Sequence, residues 1–96
     1  MSAYVILDAE VTDPVAYEEY KKQSTEALAA YGGKFLVRGG PHEVLEGDWL
    51  PNRIVVVEFE SVQQAQKWYE SPEYAAPKAL RQRASNSKMI LVAGPE

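Results

Sequence analysis

Residues 53–74 read RIVVVEFESVQQAQKWYESPEY and contain two patterns in succession. The first part, 53–59, is mostly β-branched or aromatic, which is typical of a buried strand. Ser61 and Gln64 then have the spacing of a capping box, in which a serine hydroxyl accepts a hydrogen bond from the first turn of a helix. Apolar residues follow at helical spacing, namely Val62, Ala65, Trp68 and Tyr69. The stretch therefore predicts a strand followed directly by a helix.

The same succession occurs in the first third of the chain. Residues 3–9 alternate in the manner of a strand whose two faces are both largely apolar. Asp13 can cap a helix, and Pro14 suits the first helical position. The glycines at 32–33 end that helix, because glycine accepts the left-handed conformation that closes helices. Residues 34–38 then predict a second strand.

The remaining elements are predicted from prolines and alternation. Ser71 precedes Pro72 and is expected to break the second helix, since the residue before a proline disfavours helical angles. A further helical piece is predicted over 77–85 and a fourth strand over 88–93. Between the second and third strands, residues 42–48 are expected to add a short extra pair of strand residues.

The resulting order, β-α-β-β-α-β, is that of an α+β, ferredoxin-like domain, an antiparallel sheet with its helices on one face. Right-handed crossover connections are expected to place the first and third strands side by side and parallel. No linker or low-complexity segment interrupts the chain, so residues 1–96 are predicted to form one domain.

Apolar residues on both faces of the predicted sheet indicate a homodimer. Helices cover only one face, and an uncovered apolar face exceeds what soluble monomers usually expose. A second copy related by a two-fold axis is the simplest cover. The residues that supply both faces are Val5, Leu7, Ile54, Val55, Val56, Val57, Met89, Ile90, Leu91 and Val92.

The composition narrows the classes of partner. Hydrophobic residues make up 46% and charged residues 25% of the chain, as in ordinary globular domains. The net charge of −4 argues against nucleic acid as the main partner, because phosphate binding needs a basic surface. No apolar run approaches the roughly 20 residues that span a bilayer, so no membrane association is expected. The absence of cysteine excludes disulfides and thiolate metal sites, and the cytoplasm is the default location.

A set of spaced residues resembles one protein family. The set comprises Phe35-Leu-Val-Arg-Gly-Gly40, the strand from Arg53 to Phe59 with Ser61, Ala65 with Trp68-Tyr69, then Ser71-Pro-Glu-Tyr74 and Arg81. In these positions the chain is similar to the domain-of-unknown-function 1330 family, within the dimeric α/β-barrel superfamily. The resemblance implies a homodimer whose two sheets pack into a barrel-like core. Superfamily relatives include cofactor-free monooxygenases, haem-degrading enzymes and muconolactone isomerase-like proteins, and the family itself implies no substrate.

Two acids are candidates for catalysis. Asp8 and Glu58 each lie near the carboxyl end of a predicted strand, and parallel neighbouring strands would bring them side by side. Close carboxylates raise one another's pKa, which is how a general acid or base near neutral pH is made. Alternatively, each is a buried acid satisfied by a tyrosine hydroxyl or by an arginine. Glu58 is the stronger candidate because it also matches the family pattern.

Two arginines are candidates for binding an anionic substrate. Arg38 ends the second strand before two glycines, and Arg53 begins the third strand, which should pair with the second. A guanidinium group binds carboxylate or phosphate through two parallel hydrogen bonds. In the alternative interpretation, each arginine neutralises Glu46, Asp48 or an acid of a second copy.

A third arginine, Arg81, lies in an interval without acids between Glu73 and Glu96. That interval is either a solvated helix face or an anion-binding rim, and Arg81 is the member that favours binding. Tyr69 and Tyr74 belong to a group of aromatic residues on helix faces. Such a group is typical of a core, and an aromatic cleft with a few polar tips is typical of a small-molecule site.

His42 is the only histidine and therefore the only side chain that ordinarily titrates near neutrality. It completes the candidate substrate-binding residues, although an exposed histidine in a loop is commonplace. A lone histidine without other ligands at suitable spacing does not make a metal site. We therefore expect neither a metal nor a cofactor.

Together these features predict a homodimer with a pocket for a small anionic or aromatic molecule between the helices and the sheet of each subunit. As a cofactor-independent enzyme, it would use Glu58 as acid or base, and Arg38 or Arg81 would orient the substrate. The alternative is a non-catalytic binding or structural dimer, in which the polar groups only specify strand register. A haem or metal enzyme lacks its ligands in this sequence.

Overall fold

A four-stranded sheet and three helices make up the computed structural model, which describes residues 1–95. The elements are β1 (Ala3–Val11), α1 (Pro14–Ala30), β2 (Lys34–Arg38), β3 (Arg53–Phe59), α2 (Val62–Tyr69), α3 (Pro72–Ala84) and β4 (Ser85–Ala93). The strand order is β2-β3-β1-β4, and every neighbouring pair is antiparallel. The predicted α+β, ferredoxin-like fold is confirmed.

The expectation that the first and third strands are parallel is wrong. In the observed register Ala3 lies opposite Phe59 and Ala9 lies opposite Arg53, so β1 and β3 run in opposite directions. The chain path gives the reason. The crossover through α1 makes β1 and β2 point the same way, and the connection to the antiparallel β3 reverses the chain.

The predicted helix starts are confirmed in their local chemistry. An oxygen of Asp13 accepts a hydrogen bond from the Ala16 amide at 3.2 Å, and the Ser61 hydroxyl accepts from the Gln64 amide at 3.0 Å. The second half of the predicted capping box is absent, because the Gln64 side chain donates instead to the Tyr31 carbonyl at 3.0 Å. That bond links the start of α2 to the end of α1.

The last helix differs from its prediction. Ser71 does end α2, but it also caps α3, since its hydroxyl accepts from the Tyr74 amide at 3.1 Å. Pro72 occupies the first turn of α3, where a missing amide hydrogen costs nothing. Pro77, which was predicted to start the helix, lies inside it. A Ser-Pro pair can end one helix and start the next, and the prediction included only the end of α2.

The strand boundaries also differ where tertiary pairing extends them. β4 begins at Ser85 rather than at residue 88, and β1 continues to Val11, because Val11 and Ser85 form the last pair of the β1–β4 ladder. Residues 42–48 form no strand, contrary to the prediction, and the connection from β2 to β3 is irregular throughout. This connection instead carries exposed apolar side chains.

The core lies between the helices and one face of the sheet. Alternate residues of β1 and β3 are buried there, with Val5, Leu7, Val55, Val57 and Phe59 packed beneath Tyr17, Leu28, Trp68 and Tyr74. No helix within residues 1–95 is both long enough and apolar enough to cross a membrane.

Within residues 1–95 no helix covers the opposite face of the sheet, which we call the open face. It comprises the intervening residues of three strands, namely Tyr4, Ile6, Asp8, Ile54, Val56, Glu58, Lys88, Ile90 and Val92. The subunit is correspondingly flat, with extents of 34 × 32 × 17 Å. A single helical layer packed on a single sheet accounts for the short dimension.

Candidate functional site

Arg81 is a charged side chain enclosed by the protein. It lies in the last turn of α3 and is only 4% exposed. One terminal nitrogen of its guanidinium donates to the Ser87 hydroxyl on β4. Its Nε has no hydrogen-bond partner, and among residues 1–95 the only other buried side-chain nitrogen or oxygen in that condition is Trp68 Nε1. Both unpartnered atoms are donors, so the region lacks an acceptor.

No carboxylate within residues 1–95 compensates the charge of Arg81. The one ion pair within residues 1–95 joins Lys21 to Glu18 on the surface of α1. Burial disfavours the charge on Arg81, and the neighbouring Tyr74, Tyr20 and Tyr69 together outweigh that effect and raise the pKa of the guanidinium. Burial and the adjacent Tyr20 hydroxyl raise the pKa of Tyr74 far above its usual value, so Tyr74 stays a neutral phenol. Arg81 is therefore surrounded by neutral groups.

An open cavity of about 460 Å³ lies against Arg81, between the end of α3 and the start of β4. We call it the Arg81 cleft, and it is lined by Tyr69, Arg81, Gln82, Ser85, Asn86, Ser87 and Met89. A second cavity of about 300 Å³ shares Tyr69 and Met89 with the cleft and is otherwise mainly apolar. This apolar groove is lined in addition by Val5, Ala65, Gln66, Trp68, Glu70, Ile90 and Leu91.

The two tyrosines predicted to bind substrate have different positions. Tyr69 is partly exposed and lines both the Arg81 cleft and the apolar groove. Tyr74 is fully buried, with its ring centroid 4.2 Å from that of Trp68, and lines neither cavity. Tyr69 is therefore placed to contact a ligand directly, whereas Tyr74 supports the residues around it.

Arg38 and Arg53 meet at a different place, a narrow crevice beneath α1 that runs from the β2–β3 edge into the space between the helices and the sheet. Arg38 donates to the Thr25 hydroxyl at 2.9 Å, and its guanidinium lies 4.2 Å from the centre of the Phe35 ring. Arg53 donates to the Tyr17 hydroxyl at 3.4 Å. Burial raises the pKa of Tyr17, and Arg53 partly offsets that effect.

This crevice is too small for an organic ligand. Its volume is about 30 Å³, room for a water molecule, whereas ligand pockets are on the order of 300–1,000 Å³. The predicted proximity of Arg38 and Arg53 is confirmed, because both line the crevice. Neither forms an ion pair within residues 1–95, so the alternative interpretation, in which Glu46 or Asp48 neutralises them, is wrong within one subunit.

Asp8 and Glu58 do not form the predicted pair of neighbouring carboxylates. Both lie on the open face, but Asp8 pairs with Ile54 and Glu58 pairs with Tyr4. Because β1 and β3 are antiparallel, the two acids are four positions apart along the strands, or roughly 13 Å. The prediction failed because it assumed parallel strands, whose carboxyl ends would have met at one edge.

Asp8 accepts two hydrogen bonds from the β2–β3 connection of its own subunit. One of its oxygens accepts from the Trp49 indole nitrogen at 3.1 Å, and the other accepts from the Asn52 amide at 2.9 Å. These bonds attach the β2–β3 connection to the open face. His42 lies in the exposed part of the same connection and lines neither the Arg81 cleft nor the Arg38–Arg53 crevice.

The sequence reasoning missed Ser85 and Ser87. Ser87 accepts the Arg81 hydrogen bond, and the Ser85 hydroxyl donates to the Arg81 carbonyl at 2.8 Å. A signal was present, because the alternation that places Met89 and Leu91 on the helix-facing side of β4 continues back to Ser87 and Ser85. The predicted strand started too late for that continuation to be recognised.

Comparison with known proteins places the chain in a family. The sequence model described as "Domain of unknown function (DUF1330)" matches residues 2–95. No curated protein matches the sequence. A protein of unknown function from Rhodopseudomonas palustris has a similar structure, with a TM-score of 0.78 and 19% identity, over 99% of this chain and 83% of its own.

Two further solved structures share the fold. A dimeric ferredoxin-like protein of unknown function from Thermobifida fusca has a TM-score of 0.66 and 16% identity, over 98% of this chain and 92% of its own. SnoaB, a cofactor-independent oxygenase from Streptomyces nogalater, has a TM-score of 0.60 and 12% identity, over 99% of this chain and 92% of its own. At these identities the likeness concerns the fold alone.

Proposed function

The chain belongs to the DUF1330 family, and from its geometry we propose that it is a homodimer that binds a small organic acid in the Arg81 cleft of each subunit. The observation that carries the proposal is the buried guanidinium of Arg81, which has an unpartnered Nε and, among residues 1–95, no carboxylate to compensate its charge. A carboxylate bound in the cleft supplies the missing negative charge.

The energetics favour an anionic ligand over a purely structural role. Arginine keeps its charge at every pH that a folded protein experiences. Burying a charge is costly unless it is paired, and the Ser87 and Tyr74 hydroxyls are neutral partners. A carboxylate can accept two parallel hydrogen bonds from a guanidinium, which is the strongest pairing available to Arg81.

The surroundings of Arg81 define the rest of the ligand. The apolar groove adjoins the cleft at Tyr69 and Met89, so a ligand anchored by its carboxylate extends along an apolar and aromatic wall. The two cavities, of about 460 and 300 Å³, have the size that small-molecule sites occupy. The ligand class is therefore a small carboxylic acid with an aromatic or aliphatic body.

The SnoaB likeness supports a cofactor-independent enzyme as one form of this proposal. Fold alone does not transmit a reaction, so a non-catalytic binding dimer is the second form, and the cleft is sufficient for it. The acid–base roles predicted for Glu58 and Asp8 stay predictions, as does the cytoplasmic location. Neither acid lines the Arg81 cleft or the apolar groove.

The homodimer is supported by the open face and by the relatives. An apolar sheet face without helices is a large patch for a soluble monomer, and the Thermobifida fusca protein of the same fold is described as dimeric. Light scattering at micromolar concentration is expected to give twice the 10.7 kDa of one chain. A mass of one chain under these conditions would remove the dimer from the proposal.

The ligand class is tested with two probes of nearly equal shape, benzoate and benzamide. Benzoate is expected to shift amide resonances of Tyr69 and of residues 85–87, and to bind at least about tenfold more tightly than benzamide. The R81Q variant should abolish that difference. R83Q is the matched control, because Arg83 is an exposed residue of the same helix and its loss changes the net charge equally.

Equal binding of the two probes, or equal losses in R81Q and R83Q, would contradict an anion site at Arg81. Urea unfolding of each variant shows whether R81Q is folded, and R81K retains the charge if R81Q is not. Native mass spectrometry of the purified protein is expected to detect a retained small acid, and its identity would name the physiological ligand.

A further inference from the structure

The connection between β2 and β3, residues 40–52, is exposed and unusually apolar. It has no helix or strand, and Leu45 and Leu50 are 85% and 81% exposed. Trp49 and Val44 are also exposed. Irregular connections of this length are uncommon in compact domains and are often functional. We call residues 40–52 the arm.

The arm is attached at a defined point. Asp8 accepts hydrogen bonds from the Trp49 indole and the Asn52 amide, at 3.1 and 2.9 Å. The indole also lines a shallow cavity with Ile6 and Ile90, which are residues of the open face. The base of the arm is therefore held at one end of the open face, while its leucines contact nothing in their own subunit that buries them.

The open face offers a matching surface. Ile90 is 57% exposed, Val92 is exposed beside it on β4, and Val37 is exposed on β2 at the opposite edge of the sheet. The arm contains Glu43, Glu46 and Asp48 without any lysine or arginine. On the open face Lys34 lies opposite Glu58 and Lys88 lies opposite Asp8, so the match between the arm and the face is apolar rather than electrostatic. One chain thus presents an exposed apolar arm and an exposed apolar face.

We propose that the arm of each subunit crosses the dimer interface and packs its leucines against the open face of a second copy of this chain. A two-fold axis repeats the contact, so each arm packs on the partner's open face and the dimer contains two equivalent arm–face contacts. Asp8 is a positioning residue in this arrangement, since it fixes the base from which the arm departs. The inference rests on the proposed homodimer.

The first experiment measures the dimer dissociation constant by sedimentation equilibrium. The L45S/L50S variant is expected to weaken the dimer about tenfold or more. Both leucines are exposed in the single subunit, so their replacement leaves the fold intact. V15S is the matched control, because Val15 is 83% exposed on α1, on the helical side of the sheet, and its dissociation constant should equal that of the wild type.

The outcomes separate the two proposals. A dimeric wild type with an unchanged dissociation constant in L45S/L50S overturns the arm and leaves the homodimer standing. A wild type that is monomeric at every concentration overturns both. Neither result bears on the Arg81 cleft, which is tested by benzoate binding.

The second experiment locates the arm directly. The chain contains no cysteine, so L45C introduces a single thiol that can carry a benzophenone photocrosslinker. Dimers assembled from ¹⁴N- and ¹⁵N-labelled chains distinguish links between subunits from links within one. We expect mixed-isotope crosslinks from position 45 to peptides of β1 or β4, and crosslinks confined to single-isotope pairs would overturn the proposal.

Discussion

The hydroxyl oxygens of Tyr20 and Tyr74 lie 2.9 Å apart inside the protein, where α1 packs against α3. Each hydroxyl is a donor and an acceptor, so one donates to the other and neither needs to ionise. Tyr74 also contacts the Trp68 ring and acts on the charge of Arg81. This pair therefore connects the packing of the helices to the electrostatics of the cleft.

The first prediction concerns alkaline pH. Burial raises the pKa of Tyr74 above its unfolded value of about 10, so folding favours the protonated phenol. The stability that this provides is complete below pH about 10 and is lost as the pH rises toward the folded pKa. Between pH about 10 and the folded pKa, the titration of Tyr74 is expected to lower the unfolding free energy by about 1.4 kcal/mol per pH unit.

Urea unfolding between about pH 8 and about pH 11, on either side of the ordinary tyrosine pKa, measures the effect. Tyr74→Phe should have a shallower decline than the wild type over the alkaline half of that range. At neutral pH the same variant should lose about 1–3 kcal/mol, because the buried Tyr20 hydroxyl is left without its partner. Identical alkaline slopes would show that Tyr74 is accessible to water.

The second prediction concerns the aromatic core. Trp68 is buried among Phe59, Tyr69 and Tyr74, so Trp68→Ala should destabilise the protein by about 3–5 kcal/mol. Trp49 provides the matched control, since it is exposed and its replacement by alanine should cost about 1 kcal/mol or less. Equal urea midpoints for the two variants would argue against Trp68 as a core residue.

The third prediction concerns Glu58, which lies on the open face opposite Tyr4 and Lys34. In the subunit it has no ion pair or side-chain hydrogen bond within residues 1–95, so Glu58→Gln should change the unfolding free energy by about 0.5 kcal/mol or less. Benzoate binding should be unchanged, because Glu58 lines neither the Arg81 cleft nor the apolar groove. Lost binding in a folded variant would instead support the site role predicted from the sequence.

The fourth prediction concerns the turn after β2. Gly39 has a φ of +72°, and a Cβ there would lie 2.7 Å from Arg53 Nε. Gly39→Ala should therefore destabilise the protein by about 1–3 kcal/mol, as expected for a residue forced into a sparsely populated backbone conformation. Gly40→Ala is the control, since nothing lies within 4 Å of its added Cβ. Thermal unfolding of both variants separates the turn requirement from a general effect of losing glycine.

Local chemistry explains which parts of the fold could be predicted. Asp13 caps α1, Ser61 caps α2, and residues 34–38 and 53–59 form strands with the predicted limits. Each of these features depends on neighbours within a few positions, through a cap, a turn or an alternation. The helix stripe of Tyr17 and Tyr20 was predictable for the same reason, because helical spacing selects one face.

The errors arose where the pattern allows two outcomes. Ser71-Pro72 is compatible with the end of one helix and with the start of another, and the packing of Tyr74 in the core selects the start. The relation between Asp8 and Glu58 depends on strand direction, which follows from the whole chain path rather than from either strand. Because β1 and β3 are antiparallel and not parallel as predicted, the two acids lie at opposite ends of the open face instead of side by side.

By itself, the sequence determined the elements, the ferredoxin-like order and an apolar content too large for one sheet face, because periodicity and capping act between near neighbours. Only the tertiary structure decided that Asp8 holds the arm through Trp49 and that no carboxylate of residues 1–95 pairs with the enclosed Arg81. Those facts depend on residues far apart in the chain that meet through folding. Whether a charge has a partner is a property of the space around it, and sequence spacing does not specify that space.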